Sequence, residues 1–275
     1  MTGIIFDVQR GSYVNGPGIR TTVFFKGCNL KCTWCHNPES QDFEPQIMFY
    51  KSKCTSCGIC RNFCESKESC IICGRCTREC LTGAKALCGK KYTADEIMEI
   101  IKKDIPYYKN SSGGVTFSGG ECMLQIDFLT ELLQKCKENN IHTAVDTAGY
   151  IPYSSFEQIL PYTDLIIYDV KCMNSTVHKK YTSVQNTLIL DNLKSLLLID
   201  KEIWVRVPII SGINDSEEEI NELKSFYEMY GYPQKTELLP YHSLGEHKYE
   251  AINKELTRFN TPSNDKMQKL MKLIK

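Results

Sequence analysis

The sequence predicts an α/β fold, namely an incomplete, open (β/α)6 TIM-like barrel that carries a small cysteine-rich insert. Six short β-rich segments alternate with helical patterns, and such alternation is typical of parallel βαβ units. Without the 39 residues of the insert (51–89), 236 of the 275 residues remain, which is slightly fewer than the roughly 250 of a closed eight-stranded barrel. A doubly wound sheet stays open as an alternative, because the sequence does not fix the order of the strands.

The six strands and the helices between them follow from local patterns. The strands are predicted at Thr21–Lys26, Val115–Ser118, His142–Asp146, Asp164–Val170, Glu202–Pro208 and Thr236–Leu239. Thr93 and Glu96 have the spacing of a capping box, and the isoleucines that follow have helical periodicity. Further helices are predicted at Ile126–Asn139, Thr187–Ile199, Ser216–Tyr230 and Asn264–Ile274. The apolar face of the last helix is expected to join the core.

Charge and composition limit the classes of function. The 33 basic and 33 acidic residues give a formal net charge of zero, which argues against a nucleic-acid-binding protein. No apolar run reaches the roughly 18 residues that a membrane span needs, and Met1–Arg10 lacks the order of a signal peptide. We therefore expect a cytoplasmic protein without a nucleic-acid or membrane partner.

Cysteine is the unusual component of the sequence. Of the 15 cysteines, three fall within Cys28–Cys35 and eight within Cys54–Cys80. A disulfide framework suits short secreted chains, whereas dense cysteine in a reducing compartment indicates thiolates bound to metal. The four scattered cysteines are expected to be buried as small apolar side chains; they are Cys88, Cys122, Cys136 and Cys172.

The first cysteine group forms a Cys-x3-Cys-x2-Cys loop directly after the first predicted strand. Its members are Cys28, Cys32 and Cys35. Loops at the carboxyl ends of barrel strands are where such scaffolds carry chemistry. Three thiolates can hold three irons of a [4Fe–4S] cube and leave the fourth iron without a protein ligand. Such an open coordination position is what makes a metal site reactive. A zinc site with His36 as its fourth ligand is the alternative that these residues leave open.

The insert contains the run Cys-x2-Cys-x2-Cys-x3-Cys twice. This is the ferredoxin spacing, in which the fourth cysteine of each run binds the other cluster. The two predicted ligand sets are Cys54, Cys57, Cys60 and Cys80, and Cys70, Cys73, Cys76 and Cys64. Zinc ribbons are the less favoured alternative, because they prefer paired CxxC units with longer loops. We predict a ferredoxin-like iron–sulfur domain at 51–89, organised by metal, and a core domain formed by 1–50 and 90–275.

Several motifs in the same order resemble those of a known family. The Cys28–Cys35 loop resembles that of radical S-adenosylmethionine (SAM) enzymes. Its flanks, Gly16-Pro-Gly-Ile-Arg20 and Cys35-His-Asn-Pro-Glu39, resemble those of glycyl-radical-enzyme activating enzymes. The core is similar to the pyruvate formate-lyase activating enzyme, and the insert resembles the ferredoxin-like domain that some activating enzymes add. The resemblance covers nearly the whole chain and implies a partial barrel of the radical SAM type.

The resemblance also implies an activity. A radical SAM oxidoreductase of this kind cleaves SAM reductively, and its 5′-deoxyadenosyl radical removes a Cα hydrogen from a glycine of a partner glycyl radical enzyme. Three [4Fe–4S] clusters, SAM, a monovalent cation and a flavodoxin or ferredoxin-type reductant are implied, in an anaerobic cell. Two alternatives stay open: a radical SAM enzyme that acts on a small metabolite, and a non-catalytic multi-cluster electron carrier.

The resemblance finally carries roles over to single residues. Cys28, Cys32 and Cys35 would bind the SAM-binding cluster. Contacts with SAM are implied for Asn37, Gly119, Gly120, Glu121, Asp146, Asp169, Lys171 and His242. The two glycines would let the backbone approach the ligand closely. The monovalent cation would be bound by Asp146, Thr147 and Asp169. Asn15 and Arg206 would contact the partner's glycine loop, although relatives often carry Asp where Asn15 stands.

Overall fold

The computed structural model describes residues 1–64, 66 and 69–274. Its strands are β1 (Thr2–Ser12), β2 (Arg20–Phe25), β3 (Gln46–Phe49), β4 (Lys85–Cys88), β5 (Lys90–Thr93), β6 (Gly114–Gly119), β7 (His142–Thr147), β8 (Leu165–Asp169), β9 (Glu202–Ile209) and β10 (Lys235–Pro240). Its α-helices are α1 (Ile59–Asn62), α2 (Arg75–Arg78), α3 (Ala94–Lys102), α4 (Ile105–Ser111), α5 (Ile126–Glu138), α6 (Tyr153–Ile159), α7 (Ser175–Thr182), α8 (Thr187–Leu197), α9 (Glu217–Tyr230), α10 (Glu246–Ala251) and α11 (Asn264–Ile274).

Eight strands form one sheet in the order β10-β9-β8-β7-β6-β2-β1-β5. Six of these strands pair in parallel and in chain order, namely β2, β6, β7, β8, β9 and β10. They are the six strands that the sequence predicts. Because each crossover advances one strand in the same direction, right-handed connections place the helices on one face of the sheet. A doubly wound sheet needs a reversal of strand order, so that alternative is excluded. With β10 and β5 at its two edges, the sheet is an open, partial barrel.

Four strands that the sequence analysis did not predict are antiparallel. β1 and β5 extend the sheet beyond β2. β3 and β4 pair with each other in a separate two-stranded sheet, from Gln46 opposite Cys88 to Phe49 opposite Lys85. This small sheet forms the base of the cysteine-rich segment, and its first strand lies before residue 51.

The core lies between the sheet and the helices that cover it. Phe25 and Phe117, on neighbouring strands, are fully buried and meet edge to face. The predicted capping box of α3 is confirmed, since Glu96 N–H donates to the Thr93 hydroxyl and the Glu96 carboxylate accepts from Thr93 N–H. The four scattered cysteines are all buried, as predicted. None of the helices in the described ranges is both long and apolar enough to cross a lipid bilayer.

The cysteine-rich segment contains little regular structure. Gly58 and Gly74 adopt left-handed backbone angles (φ 77° and 72°) immediately before α1 and α2. Each glycine follows the second cysteine of its run, so the two halves of the segment repeat the same local structure. Leu81 and Ile71 are 88% and 59% exposed. Such exposure of apolar side chains fits a domain whose fold depends on metal rather than on an apolar core.

Arg20 joins the Gly16–Arg20 motif to the barrel. Its guanidinium is fully buried and donates to the hydroxyl of Thr116 (2.6 Å) and to the carbonyl oxygens of Pro17 (3.1 Å) and Val115. Burial lowers the pKa of Arg20 to about 10. The motif therefore has a structural role at the start of β2, because one side chain ties the preceding loop to β6.

Replacing Arg20 tests this role. We expect Arg20→Ala to lower the free energy of unfolding by about 3–5 kcal/mol, because the change leaves a cavity and buried acceptors without their donor. Urea-induced unfolding followed by circular dichroism measures the loss. Arg258→Ala is the control, since the Arg258 side chain is 83% exposed, and its effect should stay within about 0.5 kcal/mol. Equal losses in the two variants would contradict the assignment.

Candidate active site

The Cys28–Cys35 loop follows β2 and is fixed by its backbone. The N–H groups of Lys31 and Thr33 donate to the carbonyl oxygens of Thr182 and Tyr181, at 2.9 and 3.0 Å. These bonds attach the loop to the end of α7. The loop therefore holds a defined position at the carboxyl ends of the parallel strands, as the sequence predicts.

The three thiols of this loop are half-buried. Burial raises the pKa of Cys28 to about 12 and also raises the pKa of Cys32 and of Cys35. The ammonium of Lys171 lowers the pKa of each thiol, but burial outweighs it. Thiols of this kind become thiolates when a metal supplies positive charge. The donor set, three soft sulfur ligands in one loop, fits an iron–sulfur cluster.

The residue that a single zinc ion would need as its fourth ligand already has partners in the protein. Within residues 1–64, 66 and 69–274, no three His, Cys, Asp or Glu side chains are arranged around one metal position. His36, the fourth ligand that zinc would need, has Nε2 2.9 Å from the carbonyl oxygen of His242, and the two imidazole rings stack at 4.0 Å.

Gly119 and Gly120 allow close contact between the ends of β6 and β2. A Cβ on Gly119 would lie 2.4 Å from the backbone of Phe25, and one on Gly120 would lie 2.2 Å from the carbonyl oxygen of Gly27. The N–H groups of Gly120 and Glu121 donate to the carbonyl oxygens of Phe25 and Gly27, both at 2.8 Å. The resemblance implies that these two glycines let the backbone approach a ligand closely. In the structure, the backbone that approaches them is the chain's own.

Glu121 connects the ends of β6 and β7. Its carboxyl group is fully buried, lies 2.9 Å from the Thr147 hydroxyl and accepts from the N–H groups of Ala148 (3.0 Å) and Met123 (3.2 Å). Burial raises the pKa of Glu121 to about 7, and these hydrogen bonds oppose the rise. The side chains of Glu121 and Thr147 thus already have hydrogen-bond partners within the protein. The SAM contact of Glu121 and the cation contact of Thr147 stay predictions.

Charged side chains lie side by side at the ends of β7, β8 and β9. Arg206 stands opposite Asp169 in the β8–β9 ladder and lies 3.9 Å from Asp146. Asp169 pairs with Lys171, and the Ser118 hydroxyl donates to Asp146 at 2.8 Å. Burial raises the pKa of Asp146, and the charge of Asp169 adds to the rise while Arg206 opposes it. The structure thus brings Asp146, Asp169 and Lys171 together, as a shared SAM site requires.

The two residues predicted to contact the partner's glycine loop are neighbours. Arg206 Nη1 lies 3.5 Å from Asn15 Oδ1, and Nη2 donates to the carbonyl oxygen of Val14. Arg206 also pairs with Glu237 on β10 at 2.8 Å, so it forms a salt bridge between neighbouring strands as well. Residues 191 positions apart in the sequence therefore meet in one site.

The segment around α10 contains site residues that the sequence analysis missed. Tyr249 donates its hydroxyl hydrogen to the carbonyl oxygen of Cys35 at 3.0 Å. Lys248 Nζ donates to Asn37 Oδ1 and to Glu39 Oε1, both at 2.7 Å. Of this region only His242 was predicted, and the α10 sequence carries no motif that indicates these contacts.

In the insert, one of the two predicted ligand sets surrounds a common cavity. The cavity is lined by Cys64, Cys70, Cys73 and Cys76 together with Ile47, Ile71 and Ile72. Burial raises the pKa of the Cys76 thiol, and the charges of Cys70, Cys60 and Cys64 add to the rise. The thiols of this set are exposed or half-buried, and so are those of the other set, which comprises Cys54, Cys57, Cys60 and Cys80.

Comparison with known proteins identifies the family. A family model described as "4Fe-4S single cluster domain" matches residues 14–188. The trans-4-hydroxy-L-proline dehydratase activating enzyme of Clostridioides difficile is 37% identical, over 100% of this chain and 96% of that protein. The 4-hydroxyphenylacetate decarboxylase activating enzyme of C. difficile strain 630 is 41% identical, over 93% and 87%. The chain belongs to the glycyl-radical-enzyme activating enzymes. A domain of the pyruvate-formate lyase-activating enzyme from Bacteroides vulgatus ATCC 8482 matches with a TM-score of 0.51 at 32% identity, over 59% of this chain and 92% of that chain.

Family membership confirms the predicted class of activity. The protein is a radical SAM enzyme that activates a partner glycyl radical enzyme, and its cofactors are an iron–sulfur cluster and SAM. This result decides against the metabolite enzyme and the electron carrier. The two relatives activate a dehydratase and a decarboxylase, according to their names. Relatives of this chain thus activate partners of different reaction classes.

The role of Gly120 can be tested by adding one methyl group. We expect Gly120→Ala to displace the cysteine loop, to lower the free energy of unfolding by about 1–3 kcal/mol and to remove about four irons per chain. Iron analysis after anaerobic reconstitution and urea unfolding measure both effects. Gly212→Ala is the control, because Gly212 has a left-handed φ of +76° but nothing within 4 Å of the added atom. Gly212→Ala, which adds backbone strain without a steric clash, should leave the iron content unchanged.

The raised pKa of Glu121 predicts a pH dependence of stability. Because the folded protein holds this proton more tightly than the unfolded chain, stability falls as the pH rises from about 4.5 through about 7. Glu121→Gln lacks this titration. We expect the parent to lose on the order of 2 kcal/mol relative to the variant between about pH 5 and about pH 8, measured by urea unfolding. If the free energies of unfolding of the parent and of Glu121→Gln differed by the same amount across this pH range, the raised pKa of Glu121 would be refuted.

Proposed function

We propose that Cys28, Cys32 and Cys35 hold a [4Fe–4S] cluster at which SAM binds, and that the activating enzyme removes a Cα hydrogen from a glycine of its partner. The observation that carries this proposal is the position of the three thiols, beside Lys171 and at the ends of the strands that carry Asp146 and Asp169. Bound there, the cluster would supply the one low-potential electron that reductive cleavage of SAM requires.

The surrounding residues would bind and orient SAM. Asp146 and Asp169 offer carboxylates to its positive groups, and Lys171 offers an ammonium to its carboxylate. His242, whose ring stacks on His36, would lie beside the nucleoside. Asn37 and the turn formed by Gly119, Gly120 and Glu121 complete the proposed site. A monovalent cation would be bound by Asp146, Thr147 and Asp169. It would enter when Lys171 turns to the SAM carboxylate and Arg206 turns to the partner's glycine loop.

Asn15 and Arg206 would position the partner's glycine loop. Arg206 now holds the carbonyl oxygen of Val14, and an entering main chain offers the same kind of acceptor. No general acid or base is needed for hydrogen removal. The residues of the site act by bringing the glycine into contact with the reacting carbon and by excluding solvent.

Residues 51–89 would form a separate ferredoxin-like domain with two further [4Fe–4S] clusters, next to a core of 1–50 and 90–275. The cavity shared by Cys64, Cys70, Cys73 and Cys76 supports the crossed pairing of the cysteines. We propose that a flavodoxin or ferredoxin-type protein reduces this cytoplasmic enzyme.

Iron content and SAM cleavage test the ligand assignment. After anaerobic reconstitution we expect about 12 irons per chain in the parent. One multiple variant changes Cys28, Cys32 and Cys35 to Ala, and a second changes Cys64, Cys70, Cys73 and Cys76 to Ala. Each variant should retain about 8 irons per chain. Only the first variant should lose the release of 5′-deoxyadenosine from SAM under dithionite. Cys136→Ala, at a buried cysteine outside both sets, should keep about 12 irons.

The result that would overturn the assignment is continued SAM cleavage by the Cys28, Cys32 and Cys35 variant. The partner is identified in a second step. The reduced parent enzyme is mixed with SAM and a purified candidate glycyl radical enzyme, and electron paramagnetic resonance records the doublet of a glycyl radical. Omission of SAM is the control, and the doublet should then be absent.

A further inference from the structure

The α10 segment, defined here as residues 242–254, lies between the cysteine loop and the base of the insert. Toward the loop, Tyr249 donates to Cys35 and Lys254 pairs with Asp42 at 3.1 Å. Toward the insert, Ala251 packs with Met48 and Cys88 in an apolar cluster. The segment thus fixes the residues that follow Cys35, among them Asn37.

Lys248 is the residue of this segment that reaches Asn37. Its ammonium lies 2.7 Å from Asn37 Oδ1 and 2.7 Å from Glu39 Oε1. The side chains of Lys248 and Glu39 are 23% and 5% exposed, so their ion pair is largely shielded from water. Glu39 Oε2 is buried and has no hydrogen-bond partner among the described residues. Lys248 is therefore the ion-pair partner of the buried Glu39 carboxylate.

The chemistry of the ammonium decides which way the Asn37 carboxamide faces. A lysine ammonium has three donors and no acceptor, whereas a carboxamide has a donor end and an acceptor end of nearly equal shape. Lys248 therefore selects the orientation in which Oδ1 faces the ammonium. In that orientation the two donors of Nδ2 face away from Lys248. Without the ammonium, the carboxamide could turn over at little steric cost.

We propose that Lys248 is a positioning residue, which holds Asn37 so that its amide donors face bound SAM. This inference rests on the proposed function, in which Asn37 contacts SAM. The carboxylate and ribose oxygens of SAM are acceptors that such donors fit. Lys248 does not touch SAM in this proposal; it acts through Asn37.

A competing explanation is that Lys248 only neutralises Glu39. Both explanations predict that loss of Lys248 lowers stability, because an unpaired buried carboxylate is costly. They differ in whether Lys248 and Asn37 affect SAM as one unit. A double-mutant cycle measures this difference, since residues that act through one interaction are not additive.

The experiment measures the dissociation constant of radiolabelled SAM by equilibrium dialysis, using anaerobically reconstituted enzyme with matched iron content. We expect Lys248→Met and Asn37→Ala each to weaken binding about tenfold, and the double variant to weaken it about tenfold as well. Lys269→Met is the control, because Lys269 is an ion-paired lysine whose partner is Glu217 on α9 rather than a residue of the loop after Cys35. It should change the dissociation constant by less than about twofold.

A second variant separates positioning from charge balance. Glu39→Gln combined with Lys248→Met removes both charges. This double variant provides a folded protein for the binding measurement if Lys248→Met alone is unstable. Thermal unfolding measures the stability of both variants. A tenfold loss that persists in the combined variant supports positioning. Return of SAM affinity to the parental value overturns the proposal, because the charge of Glu39 would then explain the whole effect.

The remaining outcomes are also decisive. A loss of about a hundredfold in the Asn37→Ala/Lys248→Met variant shows independent action and overturns the proposal. Unchanged binding in Lys248→Met, with weakened binding in Asn37→Ala, overturns it while leaving the role of Asn37 intact. Unchanged binding in Asn37→Ala removes the proposed SAM contact itself, and the inference about Lys248 fails with it.

Discussion

The close backbone contact between the ends of β2 and β6 is the constraint on which the site depends. The carbonyl oxygens of Phe25 and Gly27 accept from Gly120 and Glu121, and there is no room for a side chain at Gly119 or Gly120. This contact fixes the start of the cysteine loop relative to the next strand of the barrel. Glu121 then continues the connection to β7, where Asp146 and Thr147 lie. One continuous set of short-range bonds thus joins the thiols to the charged residues.

Paired charges explain why so many ionisable groups can share this small volume. Asp169 has Lys171, Asp146 has Arg206, and Glu39 has Lys248. A buried carboxylate without such a partner would be neutral or strongly destabilising. The same pairs make the site adaptable, because each cation can exchange one anionic partner for another. In the proposed function SAM enters such a network, and its ammonium, sulfonium and carboxylate groups would exchange partners with these pairs.

The sequence predicts those parts of the structure that depend on local patterns. The six parallel strands are short segments that alternate with helical patterns, and the cysteine runs have the spacing of known cluster-binding motifs. Local patterns do not indicate β1, β3, β4 and β5, because these strands belong to antiparallel pairs rather than to βαβ units. The engagement of Glu121 with Thr147 was not predictable either, since it depends on how closely two strand ends approach.

The contacts of α10 show most clearly what local patterns cannot predict. Lys248 lies 211 residues from Asn37 in the sequence, and only the curvature of the barrel brings the end of the chain back to the first loop. A six-residue helix with mixed charges gives no periodic signal. Yet this helix touches Cys35 on one side and the apolar cluster at the base of the insert on the other. Since both contacts are made by neighbouring residues of one short helix, the base of the insert and the cysteine loop are held in a fixed relation by packing rather than by a covalent link. The insert is therefore joined to the active site through space as well as through its two chain connections.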